Sequence, residues 1–92
     1  LQIDGVARSV EVDGRQVALT VREFDILFHL ASHPRQVFAR EQLLSSLWED
    51  EFEGDASTVT VHVRRLRAKI EADASRPVHV RTVWGVGYKF EP

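Results

Sequence analysis

Apolar residues recur at helical spacing in three separate stretches of the chain. The stretches span residues 20–33, 40–48 and 57–71. In the third stretch the apolar positions fall four, three and four residues apart, which places them on one stripe of a helix. They are Val59, Val63, Leu66 and Ile70. The pattern therefore predicts three amphipathic helices, each with one face buried in a shared core.

Short runs rich in β-branched residues flank the predicted helices at both ends of the chain. Within residues 1–19 the runs are separated by Asp4-Gly5 and Asp13-Gly14, and Asp-Gly is a strong hairpin signal. Residues 78–90 hold two more runs around a glycine-containing turn, whereas Val37–Phe38 is interpreted as a short extended link. An N-terminal antiparallel sheet, three helices and a C-terminal hairpin, in this order, predict an α+β fold: a winged helix-turn-helix whose wing is the hairpin.

The ends of the predicted helices carry local signals. Thr20 and Glu23 have the spacing of a capping box, in which each side chain bonds to the backbone N–H of the other residue. Pro34 disfavours helical backbone at the residue before it, so the first helix should end near His33. Ala39 precedes the second helix and has no side-chain acceptor, which should cost about 1 kcal/mol relative to Ser.

The charge of the chain is unevenly distributed. The net charge is −2, which taken alone argues against a nucleic-acid partner. Residues 1–55 hold 5 basic and 11 acidic groups, a net charge of −6, whereas residues 56–92 hold 7 basic and 3 acidic groups, a net charge of +4. Charges are screened beyond about 8 Å at physiological salt, so local charge matters more than the total. The C-terminal part can therefore bind a polyanion in one orientation.

Several classes of protein are not expected. The 92 residues suit one domain, with no apolar run near the roughly 20 residues of a membrane helix and no cysteine. There is no Ser/His/Asp arrangement and no plausible pair of carboxylates, so we expect neither an enzyme nor a cofactor. His29 and His33 have the spacing of a metal pair, but without a third ligand two exposed histidines are the simpler interpretation. The lack of methionine indicates a domain excised from a longer protein.

The third predicted helix combines positive charge with one exposed apolar residue. It has no acid between Ala56 and Ile70, whereas surface helices usually mix signs to gain i,i+4 pairs. At about 100° per residue, Val61 lies opposite the buried stripe, where it could contact a thymine methyl group. A basic surface helix with a stray valine is the alternative. The predicted wing and the order of the helices favour a helix that binds duplex DNA.

Four runs of the sequence resemble, in order, the effector domain of OmpR/PhoB-type response regulators. The runs are Leu19-Thr20-x-x-Glu23-Phe24-x-x-Leu27, Arg40-Glu41-x-Leu43-Leu44-x-x-x-Trp48, Val59-x-Val61-His62-Val63-x-Arg65-Leu66-Arg67-x-Lys69-Ile70 and Thr82-Val83-x-Gly85-x-Gly87-Tyr88-x-Phe90. They match the family's first helix, second helix, recognition helix and wing. The resemblance covers essentially the whole chain. It implies sequence-specific binding to duplex DNA, with the recognition helix in the major groove and the wing at the backbone or the minor groove.

The resemblance also implies roles for individual residues. Val61 and Arg65 would contact bases. The residues that would contact phosphates are His62, Arg64, Arg67, Lys69, Thr82 and Trp48, although burial of Trp48 in the core is an equal alternative. The wing residues of interest are Arg81, Trp84 and Lys89. Many relatives have Arg at the position of Trp84, so charge would come from the other two, and many have Arg at the position of Ser57, so one phosphate contact would be lost.

The resemblance further implies a set of partners. The protein would be a cytoplasmic transcription regulator whose receiver domain, absent from this chain, accepts a phosphoryl group from a sensor histidine kinase. Two copies would bind head to tail on direct-repeat DNA, without contact to a membrane. The acidic loop, residues 49–56, would contact RNA polymerase, although solvation alone also explains a run of acids. Its acidic residues are Glu49, Asp50, Glu51, Glu53 and Asp55.

A second function of a different class is compatible with the same fold. A winged-helix protein-interaction module would use the acidic loop and Trp84 as its anchors, because exposed tryptophan is favoured at the centre of protein interfaces. Such a module would not bind duplex DNA, and this difference separates the two hypotheses.

Overall fold

The computed structural model describes residues 1–48 and 55–92, and its N-terminal part is a three-stranded antiparallel sheet. The strands are β1 (Gln2–Asp4), β2 (Ser9–Val12) and β3 (Arg15–Val17), paired in chain order. A hairpin is confirmed at Asp13-Gly14, where both residues have positive φ, 52° and 77°, as a two-residue turn of type I′ requires. The other Asp-Gly pair behaves differently. Asp4 pairs with Ser9, and its carboxylate accepts hydrogen bonds inside a longer loop.

The first helix, α1 (Val21–Ala31), begins at the predicted capping box. Thr20 Oγ1 accepts from the backbone N–H of Glu23 at 3.2 Å, and Glu23 Oε1 accepts from the backbone N–H of Thr20 at 3.0 Å. The helix ends two residues before the expected end at His33. The backbone N–H of His33 instead closes a tighter turn onto Leu30 O at 3.1 Å.

The second and third helices are α2 (Arg40–Leu47) and α3 (Ser57–Ile70). As expected, Ala39 supplies no side-chain cap to α2. Gln42 Oε1 accepts from the backbone N–H of Ala39 at 2.7 Å, which is the remaining half of a capping box. The predicted apolar stripe of α3 is buried against α1 and α2. No helix among the described residues is long and apolar enough to cross a membrane.

A second antiparallel sheet contains the wing. Its strands are β4 (Phe38–Ala39), β5 (Val80–Val83) and β6 (Gly87–Phe90), in the order β4-β6-β5. The segment interpreted as an extended link thus contributes a strand. At the β4–β6 contact, a Cβ built on Gly87 would lie 1.9 Å from the carbonyl oxygen of Phe38. Only glycine therefore fits at this crossing of the two backbones.

Glu71 fixes the connection between α3 and the wing. Its side chain is buried and follows the last residue of α3. The carboxylate accepts from three successive backbone N–H groups, those of Val78 at 2.9 Å, His79 at 3.1 Å and Val80 at 2.8 Å. One side chain thereby satisfies the backbone donors that lead into β5, which sets where the wing begins.

Candidate nucleic-acid interface

The outward face of α3 is basic. Ser57, Arg64, Arg65 and Ala68 are exposed, and Val61 is partly exposed between them. Val61 is less open than expected, because neighbours three and four positions away flank it on a helix. In the described part of the chain, no carboxylate lies within 4 Å of Arg64 or Arg65. These two guanidinium groups are available to an external anion.

Asp55 lies two residues before α3, within the predicted loop, and bonds to the first residue of that helix. Its Oδ1 accepts from the backbone N–H of Ser57 at 2.9 Å and from the Ser57 hydroxyl. These hydrogen bonds, from the side chain first and then the backbone, hold the pKa of Asp55 below its ordinary value. A carboxylate here also complements the positive end of the helix dipole. The other acids of the predicted polymerase-contact loop, Glu49, Asp50, Glu51 and Glu53, lie outside the described residues.

Two cations of α3 that were expected to contact phosphates have partners inside the protein. Lys69 Nζ lies 2.6 Å from Oε1 of Glu23, whose side chain is 1% exposed. Arg67 points toward the wing: its Nε donates to Val80 O at 2.9 Å and its Nη2 to Thr82 Oγ1 at 2.7 Å. Burial lowers the pKa of Arg67, an effect that nearby groups oppose. Helical position alone did not reveal either partner, because both lie on other elements.

Trp48 and His62 form an aromatic cluster beside the basic face. The Trp48 indole is buried, and the guanidinium of Arg22 stacks 4.8 Å from its ring. The His62 ring lies 5.5 Å from that indole, and its Nδ1 is buried without a hydrogen-bond partner in the described structure. Burial, followed by the nearby charge of Arg65, lowers the pKa of His62. His62 is therefore favoured in its neutral form in the free protein.

The tip of the wing is apolar and open to solvent. Trp84 is 89% exposed and Val86 is 56% exposed. Between them, Gly85 has φ of +80°, and the backbone N–H of Val86 donates to Val83 O at 2.9 Å to close the turn. This geometry needs glycine and holds the indole at the end of the hairpin.

The cations of the wing lie on its strands, behind the tip. Arg81 and Lys89 are cross-strand neighbours. Lys89 is partly neutralised by Glu91 at 3.4 Å, whereas no carboxylate among residues 1–48 and 55–92 pairs with Arg81. Of these two cations, Arg81 is therefore the less neutralised by the described residues.

Two grooves run along the wing and meet at Thr82, Val83 and Trp84. One, of about 560 Å³, is lined by the cations Arg67, Arg81 and Lys89. The other, of about 460 Å³, is lined by Arg40, Thr60 and Tyr88, among others.

Arg40 Nη1 donates to Thr60 Oγ1 at 3.1 Å, which adds a cation from the start of α2 to this surface. Arg40 was not among the predicted DNA contacts, although the sequence already indicated its position in the first turn of α2.

His29 and His33 pack as aromatic side chains. Their rings lie 5.2 Å apart, and both contact the Phe38 ring edge-on. His33 Nδ1 lies 2.9 Å from His29 O. The described residues offer no group of three potential metal ligands. His33 is exposed as expected, whereas His29 is half-buried against Phe38.

The chain is similar to regulators of known family. Residues 14–90 match the family model described as "Transcriptional regulatory protein, C terminal". The chain is 50% identical over 92 residues to the transcriptional regulatory protein SrrA of Staphylococcus aureus, covering 99% of this chain and 38% of SrrA. The chain thus spans well under half the length of the curated relatives it matches.

Solved structures give the same assignment. The response regulator DrrB of Thermotoga maritima, an OmpR/PhoB homologue, superposes with a TM-score of 0.92 at 37% identity, covering 98% of this chain and 41% of DrrB. The RstA DNA-binding domain of Klebsiella pneumoniae, solved in complex with the RstA box, has a TM-score of 0.85 at 38% identity, covering 97% of this chain and 88% of that domain. This chain therefore belongs to the transcriptional regulatory protein C-terminal family, as a non-enzymatic winged-helix effector domain of the OmpR/PhoB type.

Proposed function

We propose that α3 inserts into the major groove of duplex DNA and reads its sequence through Val61 and Arg65. The observation that carries this proposal is the outward face of α3, where one apolar side chain lies beside two exposed arginines that have no described carboxylate partner. An arginine can bond to both major-groove acceptors of guanine, and a valine can contact the methyl group of thymine. Arg64, on the same face, holds a backbone phosphate and so fixes the register of the helix.

The remaining phosphate contacts surround this face. His62, on α3, and the buried Trp48 packed against it lie beside this face, and Thr82 occupies the wing where the two grooves meet. Arg81 and Lys89 bring positive charge to the wing, which lies against the backbone or the minor groove. Because Lys69 has a partner inside the protein, its share in phosphate binding is smaller than position alone suggested.

The whole protein acts in a two-component system. The relatives extend well beyond the part that this chain matches. A receiver domain, phosphorylated by a sensor histidine kinase, would control the DNA binding of this domain in the cytoplasm. Two copies would bind head to tail on direct repeats, and the acidic loop would contact RNA polymerase.

The test is selection of bound sequences from a random duplex library, followed by titration of the selected site at several salt concentrations. We expect one recurring motif, and an affinity that falls steeply as salt rises, because each phosphate contact releases counterions. Recovery of no motif, together with no duplex binding at low salt, would contradict the proposal.

A second candidate function rests on the 89% exposure of Trp84 at the wing tip. A protein-interaction module would bury this indole against a partner protein. Partner binding that Trp84→Ala abolishes, in a chain that never shifts duplex DNA, would favour this function. Salt-sensitive binding to duplex DNA would exclude it.

A further inference from the structure

The arginines of α3 divide into two groups by what they contact. Arg64 and Arg65 are exposed on the outward face. Arg67 lies on the flank of the helix that faces the wing, where its guanidinium packs 5.4 Å from the Tyr88 ring. Two of its nitrogens donate across the gap, to Val80 O at 2.9 Å and to Thr82 Oγ1 at 2.7 Å. Arg67 thus contacts both strands of the wing hairpin at once.

The hydrogen bond from Arg67 determines whether the Thr82 hydroxyl can donate or accept toward a ligand. A threonine hydroxyl has one donor and two acceptor positions. Since Arg67 can only donate, Thr82 Oγ1 accepts from it, and the hydroxyl proton must point elsewhere. Thr82 lines both grooves beside the wing, so its donor can face an anion lying there. A bond from a charged donor also polarises the hydroxyl, which strengthens its own donation.

We propose that Arg67 is a positioning residue, which ties the wing to the recognition helix and presents the Thr82 hydroxyl as a donor to a DNA phosphate. This inference rests on the proposed function. It replaces an independent cation–phosphate contact at Arg67 with a contact that acts through Thr82. The helix and the wing then meet the duplex as one preformed surface.

The chemistry requires arginine at this position. The planar guanidinium reaches Val80 O and Thr82 Oγ1 with two separate nitrogens while its face packs on Tyr88. Lysine keeps the positive charge but has a single compact ammonium group without a planar face. Arg67→Lys therefore separates the geometric role from the charge.

A double-mutant cycle of Arg67→Lys and Thr82→Val tests the inference, with anisotropy titration on the selected DNA site. We expect Arg67→Lys to weaken binding about tenfold in the wild-type background and less than about threefold in the Thr82→Val background, because interacting residues are not additive. Arg64→Lys with Thr82→Val is the matched control and should be additive. Thr82→Ser, which keeps the hydroxyl, should recover most of the affinity that Thr82→Val loses.

Two further measurements do not depend on the fold surviving the Arg67 substitution. In the unaltered chain, the Nε–H signal of Arg67 in a proton–nitrogen NMR spectrum should be protected from exchange before and after DNA is added. Thr82→Val should weaken binding with little change in salt slope. A signal that loses protection on DNA binding, or additive losses in the cycle, overturns the inference while leaving DNA binding intact. A wild-type chain that does not bind duplex DNA overturns the inference and the proposed function together.

Discussion

Lys69 Nζ lies 2.6 Å from Glu23 Oε1, so an ion pair ties the last turn of α3 to the first turn of α1. The same carboxylate completes the capping box of α1 through the backbone N–H of Thr20. Glu23 is almost fully buried, and each of its partners offsets part of the free energy needed to remove a charge from water. One carboxylate therefore links the start of the first helix to the end of the recognition helix.

Removing the cation of this pair should destabilise the fold. We expect Lys69→Met to lower the free energy of unfolding by about 1–2 kcal/mol, less than for a fully buried pair, because Lys69 is more than a third exposed. Urea unfolding at pH 7 measures the change, and Arg64→Met, on the exposed face, is the matched control. Unchanged stability, with a salt slope for DNA binding lower by about 1, would instead assign Lys69 to a phosphate.

The same site predicts how stability depends on pH. Burial acts to raise the pKa of Glu23, but the bonds from Lys69 and Thr20 outweigh it, so the pKa lies below its ordinary value of 4.5. The stabilisation is then complete above that ordinary value and is lost as the pH falls through the lower, folded-state pKa. Urea unfolding between pH 3 and pH 7 should show stability rising with pH in this acidic window. Glu23→Gln should flatten that rise, whereas Glu41→Gln, at an exposed position on α2, should leave it unchanged.

Glu71 should be more important to stability than its position after the last turn of a helix suggests. Glu71→Ala removes the acceptor of three backbone N–H groups at the start of the wing, and we expect a loss of about 2–4 kcal/mol. Thermal unfolding followed by circular dichroism measures it. Glu91→Ala, which removes a partly exposed partner of Lys89, is the control and should cost less than about 1 kcal/mol. Equal losses for the two variants would show that the three bonds contribute little.

The two exposed arginines of α3 should separate base reading from phosphate binding. Arg65→Ala should weaken binding to the selected site by about 1–3 kcal/mol and relax the preference at one base pair. Arg64→Ala should weaken all sequences similarly and lower the salt slope by about 1. Anisotropy titrations on the site and on single-base variants measure both effects. Full affinity after Arg65→Ala would remove that residue from the base contacts.

A positive charge added at the wing tip should change the salt dependence of DNA binding. Trp84→Arg places a cation at the exposed end of the hairpin, and if the wing lies against DNA the salt slope should steepen by about 1. Trp84→Gln, a polar but neutral substitution, is the control for loss of the indole. An unchanged slope for Trp84→Arg would place the tip away from the phosphates.

The sequence predicted those features that depend on interactions between residues close together in the chain. Thr20 and Glu23 lie three residues apart, and the Asp13-Gly14 turn needs only its own two residues, so both were visible in the sequence. The two-residue strand β4 was not, because Phe38–Ala39 is too short for a pattern and pairs with residues about fifty positions later. Strands of this kind exist only through their tertiary partner.

The candidate site also has features that the local sequence predicts and features that only the tertiary structure reveals. The periodicity of α3 correctly identified its buried stripe. It could not show which groups from β5 and α1 meet the side chains of Arg67 and Lys69. The partner of a side chain at the edge of a helix can be identified only when the neighbouring element is known.

The close crossing of Gly87 and Phe38 joins the end of β6 that follows the wing turn to the start of α2. A change of length in the strands of the wing would disturb this crossing, whereas Trp84, Gly85 and Val86 lie beyond it and are exposed to solvent. The side chains of the turn can therefore change while the two strands keep their length and pairing. Regulators built on this frame can acquire a new wing contact by changing two side chains around a retained glycine, without refolding the domain that carries them.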